Sequence, residues 1–165
     1  MAITIRKATI EDYDQLSEIF SEVDEQHRLA LPYFFQATQG PARSLERIQT
    51  LITEPHMTLL VAEDNHQLLG LVVVEIKETP PINIIIPRLY AVIDSLVVKE
   101  TARGNGLGKI LVTAAETWAM DQGVTDIQLG VYAFNEQAID IYKHLGYETM
   151  QLKMRKDLSA KKFQK

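Results

Sequence analysis

Three glycines at alternate positions mark the stretch Arg103-Gly104-Asn105-Gly106-Leu107-Gly108-Lys109, between a strand-like run and a helix-like one. Glycine lets a backbone turn sharply and lets a ligand come close to it. The first N–H groups of a helix have no internal partners, and with the helix dipole they suit a phosphate. Arg103 and Lys109 add positive charge there. A plain strand-to-helix turn is the simpler reading, but one glycine serves that purpose. Ile110 follows Lys109, so the Ser or Thr that holds magnesium in a nucleotide P-loop is missing. The spacing is also not the G-x-G-x-x-G of dinucleotide folds. The pattern predicts a phosphate-bearing ligand other than ATP or NAD.

Other side chains with usable chemistry are few. Asp94 sits inside the run Ile93-Asp94-Ser95-Leu96-Val97-Val98. A carboxylate in the middle of a sheet is costly unless it is paired or near water. Strand alternation places Asp94, Leu96 and Val98 on one face. Tyr142 shares a helical face with Ala138, Ile141 and Leu145, which reads first as an inward aromatic. Asn135 stands where it would cap that helix. There is no cysteine, which excludes disulfides, thiolate zinc sites and a cysteine nucleophile. His56, His66 and His144 show no metal-ligand spacing with carboxylates, and no metal is expected.

These residues need elements to hold them. Ile3–Lys7 alternates as a half-buried strand does. Thr9 with Asp12 three residues on reads as a helix start, followed by Leu16, Ile19, Phe20 and Val23 at helical spacing. Residues 26–40 read as irregular. Ser44 then caps a second helix with Leu45, Ile48, Leu51 and Ile52 inward. Met57–Glu63 and Leu68–Ile76 form a hairpin about Asp64-Asn65-His66-Gln67. After a Pro-rich loop, Leu89–Val98 reads as a central strand. The next helix turns Leu107, Ile110, Leu111, Ala114, Ala115 and Trp118 inward and stops at Gly123. Ile127–Val131 is a strand, residues 135–145 a short helix, and Tyr147–Arg155 a returning strand.

The chain of 165 residues fits one domain, here residues 1–156, with a basic tail at 157–165. A net charge of −5 argues against a nucleic-acid backbone as the main partner. The start carries no long apolar run, and the most apolar stretches are strand-sized, so neither a secretory signal nor a membrane partner is expected. The expected compartment is cytoplasmic. Seven acidic residues and no basic ones fall between Glu11 and Glu25, a solvated face on the simplest view.

On its motifs the sequence resembles the GNAT superfamily of N-acetyltransferases. Arg103, Gly106 and Gly108 match the family's Gln/Arg-x-x-Gly-x-Gly/Ala pattern after its fourth strand. Asn135, Ala138, Tyr142, Gly146 and Tyr147 match its Asn-x-x-Ala-x-x-x-Tyr-x-x-x-Gly-Phe/Tyr pattern. The element order fits to about Lys156. The resemblance implies an α/β (α+β) fold, with a mixed, mostly antiparallel sheet flanked by helices and a splayed V-shaped gap between the fourth and fifth strands.

It further implies an acetyl-CoA-dependent N-acetyltransferase working by direct attack of a primary amine in a ternary complex. Leu96, Val97 and Val98 would meet the pantetheine arm, with an oxyanion donor near Val97. Arg103, Gly104, Asn105, Gly106, Leu107, Gly108 and Lys109 would hold the pyrophosphate, and Asn135 and Tyr142 complete the cofactor side. Tyr142 takes the family's acid position. The base is Asp94, its neighbour Glu75, or water alone. His27, Tyr33, Phe34 and Phe35 fall where relatives wall the acceptor, Glu75 is also expected on that side, and the acidic helix beside them could steer an ammonium. The acceptor amine, small molecule or protein, is not legible, and a homodimer fits the family habit. A non-catalytic acyl-CoA-binding or regulatory module, or an acyltransferase with another donor or acceptor, is the competing reading.

Overall fold

The computed structural model describes residues 2–159. Their order is β1 (Thr4–Lys7), α1 (Tyr13–Ala30), α2 (Leu45–Thr53), β2 (Met57–Asp64), β3 (Gln67–Glu78), β4 (Leu89–Val98), α3 (Leu107–Asp121), β5 (Ile127–Leu129) and α4 (Glu136–His144). Short 3-10 turns precede α1 and α3. The sheet runs β1-β2-β3-β4-β5, antiparallel throughout except for the parallel pair β4–β5.

Local chemistry sets most boundaries. The Asp12 carboxylate accepts the Thr9 N–H at 2.8 Å and so opens the turn that feeds α1. The Ser44 hydroxyl accepts the Arg47 N–H at 3.1 Å and caps α2. Asn65 and His66 both have positive φ, 49° and 64°, as a two-residue hairpin turn requires.

The sheet is covered on both faces, which is why β2 and β3 read as nearly continuous apolar runs. Val72 and Val74 face α3 with Leu107, Leu111, Val112 and Ala115. Leu71, Val73 and Val97 face α1 and α2 with Leu16, Ile19, Phe20, Ile48 and Leu51. Each fully buried side chain of this kind contributes about 1.5–3 kcal/mol. Gly70 lets β3 and β4 lie this close, since a Cβ there would stand 2.6 Å from the Val97 carbonyl oxygen.

Five expectations change. Helix α1 continues to Ala30 through residues read as irregular, because nothing breaks it before Pro32. Leu45 is exposed at the first turn of α2, and Ile110 is exposed on α3, where it lines a hollow of about 330 Å³ with Ile3, Leu69 and Asn105. Strand β5 stops at Leu129, just before Gly130. Tyr147–Arg155 is not a strand, for among the described residues no strand pairs with it. The alternation in its sequence is real, yet Met150, Leu152 and Met154 are 78%, 78% and 91% exposed. Of the expected basic tail, residues 160–165 lie outside the described residues.

Candidate active site

The glycine turn joins the end of β4 to α3. Gly104 and Gly106 have φ of 82° and 76°, which L side chains rarely adopt. Ile110 is the first residue to close the helix, donating to the Gly106 carbonyl at 3.2 Å. Among the described residues, none of the backbone N–H groups from Gly104 to Lys109 donates to a backbone carbonyl. A Cβ added at Gly104 or Gly106 would meet nothing within 4 Å, so the turn is an open cradle rimmed by free donors. The Arg103 side chain is turned back, with Nε donating to the Val98 carbonyl at 3.0 Å, and pins the turn to β4.

Strand β4 changes phase halfway along. Ile93 pairs with Val74 and Ser95 with Val73, so Asp94 is an extra residue without a cross-strand partner, a β-bulge. Before the bulge, Ala91 donates its N–H toward β5, to Asp126 at 2.8 Å. After it, Lys99 donates to Leu69 of β3, so Val97 also faces β3 in the alternating ladder. The N–H and C=O of Leu96 and Val98 therefore point away from β3, to the side where β5 would continue. Strand β5 is paired only from Ile127 to Leu129, opposite Ala91 to Ile93. Beyond that the two arms part, and the bulge directs backbone groups into the fork.

This phase change corrects one expectation and narrows another. Alternation across Asp94 does not hold, so Asp94 is not simply in line with Leu96 and Val98. The N–H of Val97 lies on the β3 side, so a donor facing the fork belongs to Leu96 or Val98.

Asn135 follows the fork on the β5 arm. Its side-chain oxygen accepts the Ala138 N–H at 3.2 Å and caps α4. Tyr142 is half-buried on α4 against the α3-side core, its ring centroid 5.7 Å from that of Tyr147. Burial pushes its phenol above the ordinary value of 10.0, so it stays a proton donor at neutral pH. Tyr147 is pushed up further, by burial and by the Glu116 carboxylate that accepts its hydroxyl at 3.1 Å.

The carboxylate candidates part company. Asp94 is exposed, and its Oδ2 accepts the Ser95 hydroxyl at 3.3 Å. Exposure removes the desolvation cost expected of a carboxylate within a sheet. Glu75 pairs with Lys77 at 3.3 Å. Most of the acidic run is likewise engaged: Asp12 with Arg6, Glu18 with Lys99, Asp24 with Arg43, Glu25 with Arg28, and Glu22 with the Glu100 N–H.

Among the residues expected to wall the acceptor, His27 stands in the last turn of α1, its Nδ1 2.7 Å from the Val23 carbonyl. Its ring lies 5.3 Å from Phe35, 5.3 Å from Tyr132 and 5.7 Å from Phe134, centroid to centroid. Phe34 joins through Phe35, whereas Tyr33 turns away beneath the Arg155 guanidinium at 4.0 Å. Glu75 is not part of this group. Tyr132 and Phe134 were missed in the sequence, although two aromatics directly before Asn135 are a visible signal. Among the described residues, no three His, Asp or Glu side chains gather as a metal site requires, and no helix is long and apolar enough to cross a membrane.

The profile of the acetyltransferase (GNAT) family matches residues 15–147. The uncharacterized N-acetyltransferase YdgE of Bacillus subtilis is 33% identical over 72 residues, 44% of this chain and 46% of that protein. The thialysine N-epsilon-acetyltransferase of Bos taurus is 31% identical over 58 residues, 35% of this chain and 34% of that one. The chain thus spans less than half the length of these curated relatives. Among solved structures, the tetramutant of the BH1408 protein of Bacillus halodurans superimposes with a TM-score of 0.88 at 29% identity, over 94% of this chain and 99% of that one.

Proposed function

The chain belongs to the acetyltransferase (GNAT) family, and on that premise we propose that it transfers an acetyl group from acetyl-CoA to a primary amine by direct attack in a ternary complex. The observation that carries this is the bulge at Asp94, which turns the backbone of Leu96 and Val98 into a fork ending at a cradle of free N–H groups. An amide-bearing chain that ends in phosphates fits that arrangement: its amides pair along β4 as an added strand would, and its phosphates rest on residues 104–109.

Acetyl-CoA supplies an activated thioester. Asp94, or water held by it, takes a proton from the ammonium and frees the nitrogen lone pair. The nitrogen bonds to the thioester carbon, and the N–H of Leu96 or Val98 receives the developing oxyanion. As the C–S bond breaks, Tyr142 gives its hydroxyl proton to the departing thiolate, and the second proton of the new amide nitrogen, lost to solvent, balances the one that returns to the Tyr142 phenolate.

Titration calorimetry with acetyl-CoA, beside thiol release with a panel of amines, tests the reading. Binding and amine-dependent thiol release are expected. Binding without release from any amine would favour an acyl-CoA-binding module.

A further inference from the structure

The rings around His27 tie together segments about a hundred residues apart. His27 and Phe35 come from the end of α1 and its connection to α2, Tyr132 and Phe134 from the connection between β5 and α4. Their place follows from the fork. Ile93 and Leu129 are the last residues through which β4 and β5 pair with each other. Asp94 comes next on one arm, and Tyr132 stands three residues along the other. Helix α1 covers the sheet face that carries Val97, so its last turn brings His27 across to Tyr132 on that same side.

The group does not bury itself. Phe34 is 63% exposed and Tyr132 is 41% exposed, with their centroids 6.4 Å apart. Scattered exposed apolar residues need no explanation, but clustered rings beside a reaction site do. Of the carboxylates on α1, Glu18, Asp24 and Glu25 already meet a cation inside the protein, while Glu22 accepts the Glu100 N–H. A flat apolar body would find two open ring surfaces of the right chemistry beside them.

We infer that the acceptor is an aromatic monoamine whose ring packs on Phe34 and Tyr132 while its nitrogen reaches toward Asp94. This rests on the proposed acetyl transfer and adds the substrate class. Phe34 and Tyr132 act as specificity-determining residues and take no part in the chemistry.

The test uses the full chain with acetyl-CoA and two probes, 2-phenylethylamine and spermidine. The aromatic amine should have the higher kcat/KM by about tenfold or more, the scale of one or two ring contacts. Phe34→Ala and Tyr132→Ala should each raise its KM roughly threefold to tenfold, leaving kcat and the KM for acetyl-CoA in place. Tyr132→Phe keeps the ring and should behave as the unaltered protein does. Phe34 is exposed enough for its truncation to leave the fold intact, so that variant decides should Tyr132→Ala unfold. A preference for spermidine, or a KM unmoved by loss of the Phe34 ring, overturns the inference. Calorimetry separates it from the reading beneath. Intact acetyl-CoA binding with no aromatic amine acetylated overturns the substrate class alone, and loss of binding overturns both.

Discussion

Tyr142 and Tyr147 lie with their ring centroids 5.7 Å apart, and of the two only Tyr147 has its hydroxyl held by another side chain, Glu116. No buried side-chain polar atom among the described residues lacks a partner, so the Tyr142 hydroxyl is open to solvent at its tip. The two phenols thus divide into one that anchors α3 to the chain after α4 and one that is free to react. Tyr142→Phe should slow single-turnover transfer by roughly 10²–10⁴-fold at saturating acetyl-CoA. Tyr147→Phe should leave the rate nearly intact and lower stability by roughly 1.5 kcal/mol in urea, the loss of a bond to a charged acceptor. Because burial raises the Tyr142 phenol above 10.0, an alkaline limb belonging to it should lie above that pH and vanish in Tyr142→Phe. A reversal of the two phenotypes would assign the acid to Tyr147.

The proposed phosphate cradle can be probed at Gly108 more cleanly than at Gly106. Gly106 has φ of 76°, so any side chain there costs about 1–2 kcal/mol before a ligand is considered. Gly108 is helical, and an added Cβ would meet only the Val98 Cγ2, at 4.0 Å. Valine is also a better helix residue than glycine, by a few tenths of a kcal/mol. Gly108→Val should keep or slightly raise the melting temperature and weaken acetyl-CoA by about tenfold or more, ~1.4 kcal/mol. Unchanged affinity by calorimetry would move the phosphates elsewhere.

Much of this was legible because it is local. The capping side chains of Asp12, Ser44 and Asn135 accept N–H groups three positions away, and so can be read from neighbouring letters. The bulge at Asp94 could not be read in that way. Its letters continue an ordinary strand, and only the register against Val73 and Val74 exposes the extra residue. The returning strand at Tyr147–Arg155 fails for a related reason. Its alternation is in the sequence, but a strand also needs a neighbour, and β5 offers three residues. The ring group on His27 is wholly a product of the fold, since Tyr132 is about a hundred residues away and no periodicity connects them.

Asp94 and Glu75 are separable as bases. Glu75 is tied to Lys77 on β3, while Asp94 is exposed at the bulge where the fork opens. Asp94→Asn is nearly isosteric and keeps an acceptor for Ser95. It should slow the chemical step by roughly 10²-fold or more if the carboxylate takes the proton. Glu75→Gln should change it little. The check is single-turnover acetylation across pH. A normal rate in Asp94→Asn, rising with pH as free amine accumulates, would leave water as the base.

Arg6, Asp12 and Glu63 join β1, the turn before α1 and β2. The Arg6 guanidinium donates to both Asp12 oxygens at 2.8 Å and also to Glu63, while Asp12 accepts the Thr9 N–H. Asp12 is buried, and the Arg6 hydrogen bonds hold its carboxyl below the ordinary 3.8. A carboxyl held low in the folded state adds stability that is complete above its unfolded value. That stability is lost as pH falls through the folded one. Asp12→Ala should therefore cost about 1.5–3 kcal/mol at pH 7, the scale of hydrogen bonds to a charged group. The gap between variant and parent should narrow once pH drops below 3.8. Urea denaturation at a series of pH values reads both quantities. A gap that stays constant into acid would mean that Asp12 acts through packing and the Thr9 cap, with its charge contributing nothing. Because Arg6, Asp12 and Glu63 lie at the β1 edge of the sheet, the variant should still bind acetyl-CoA wherever it remains folded.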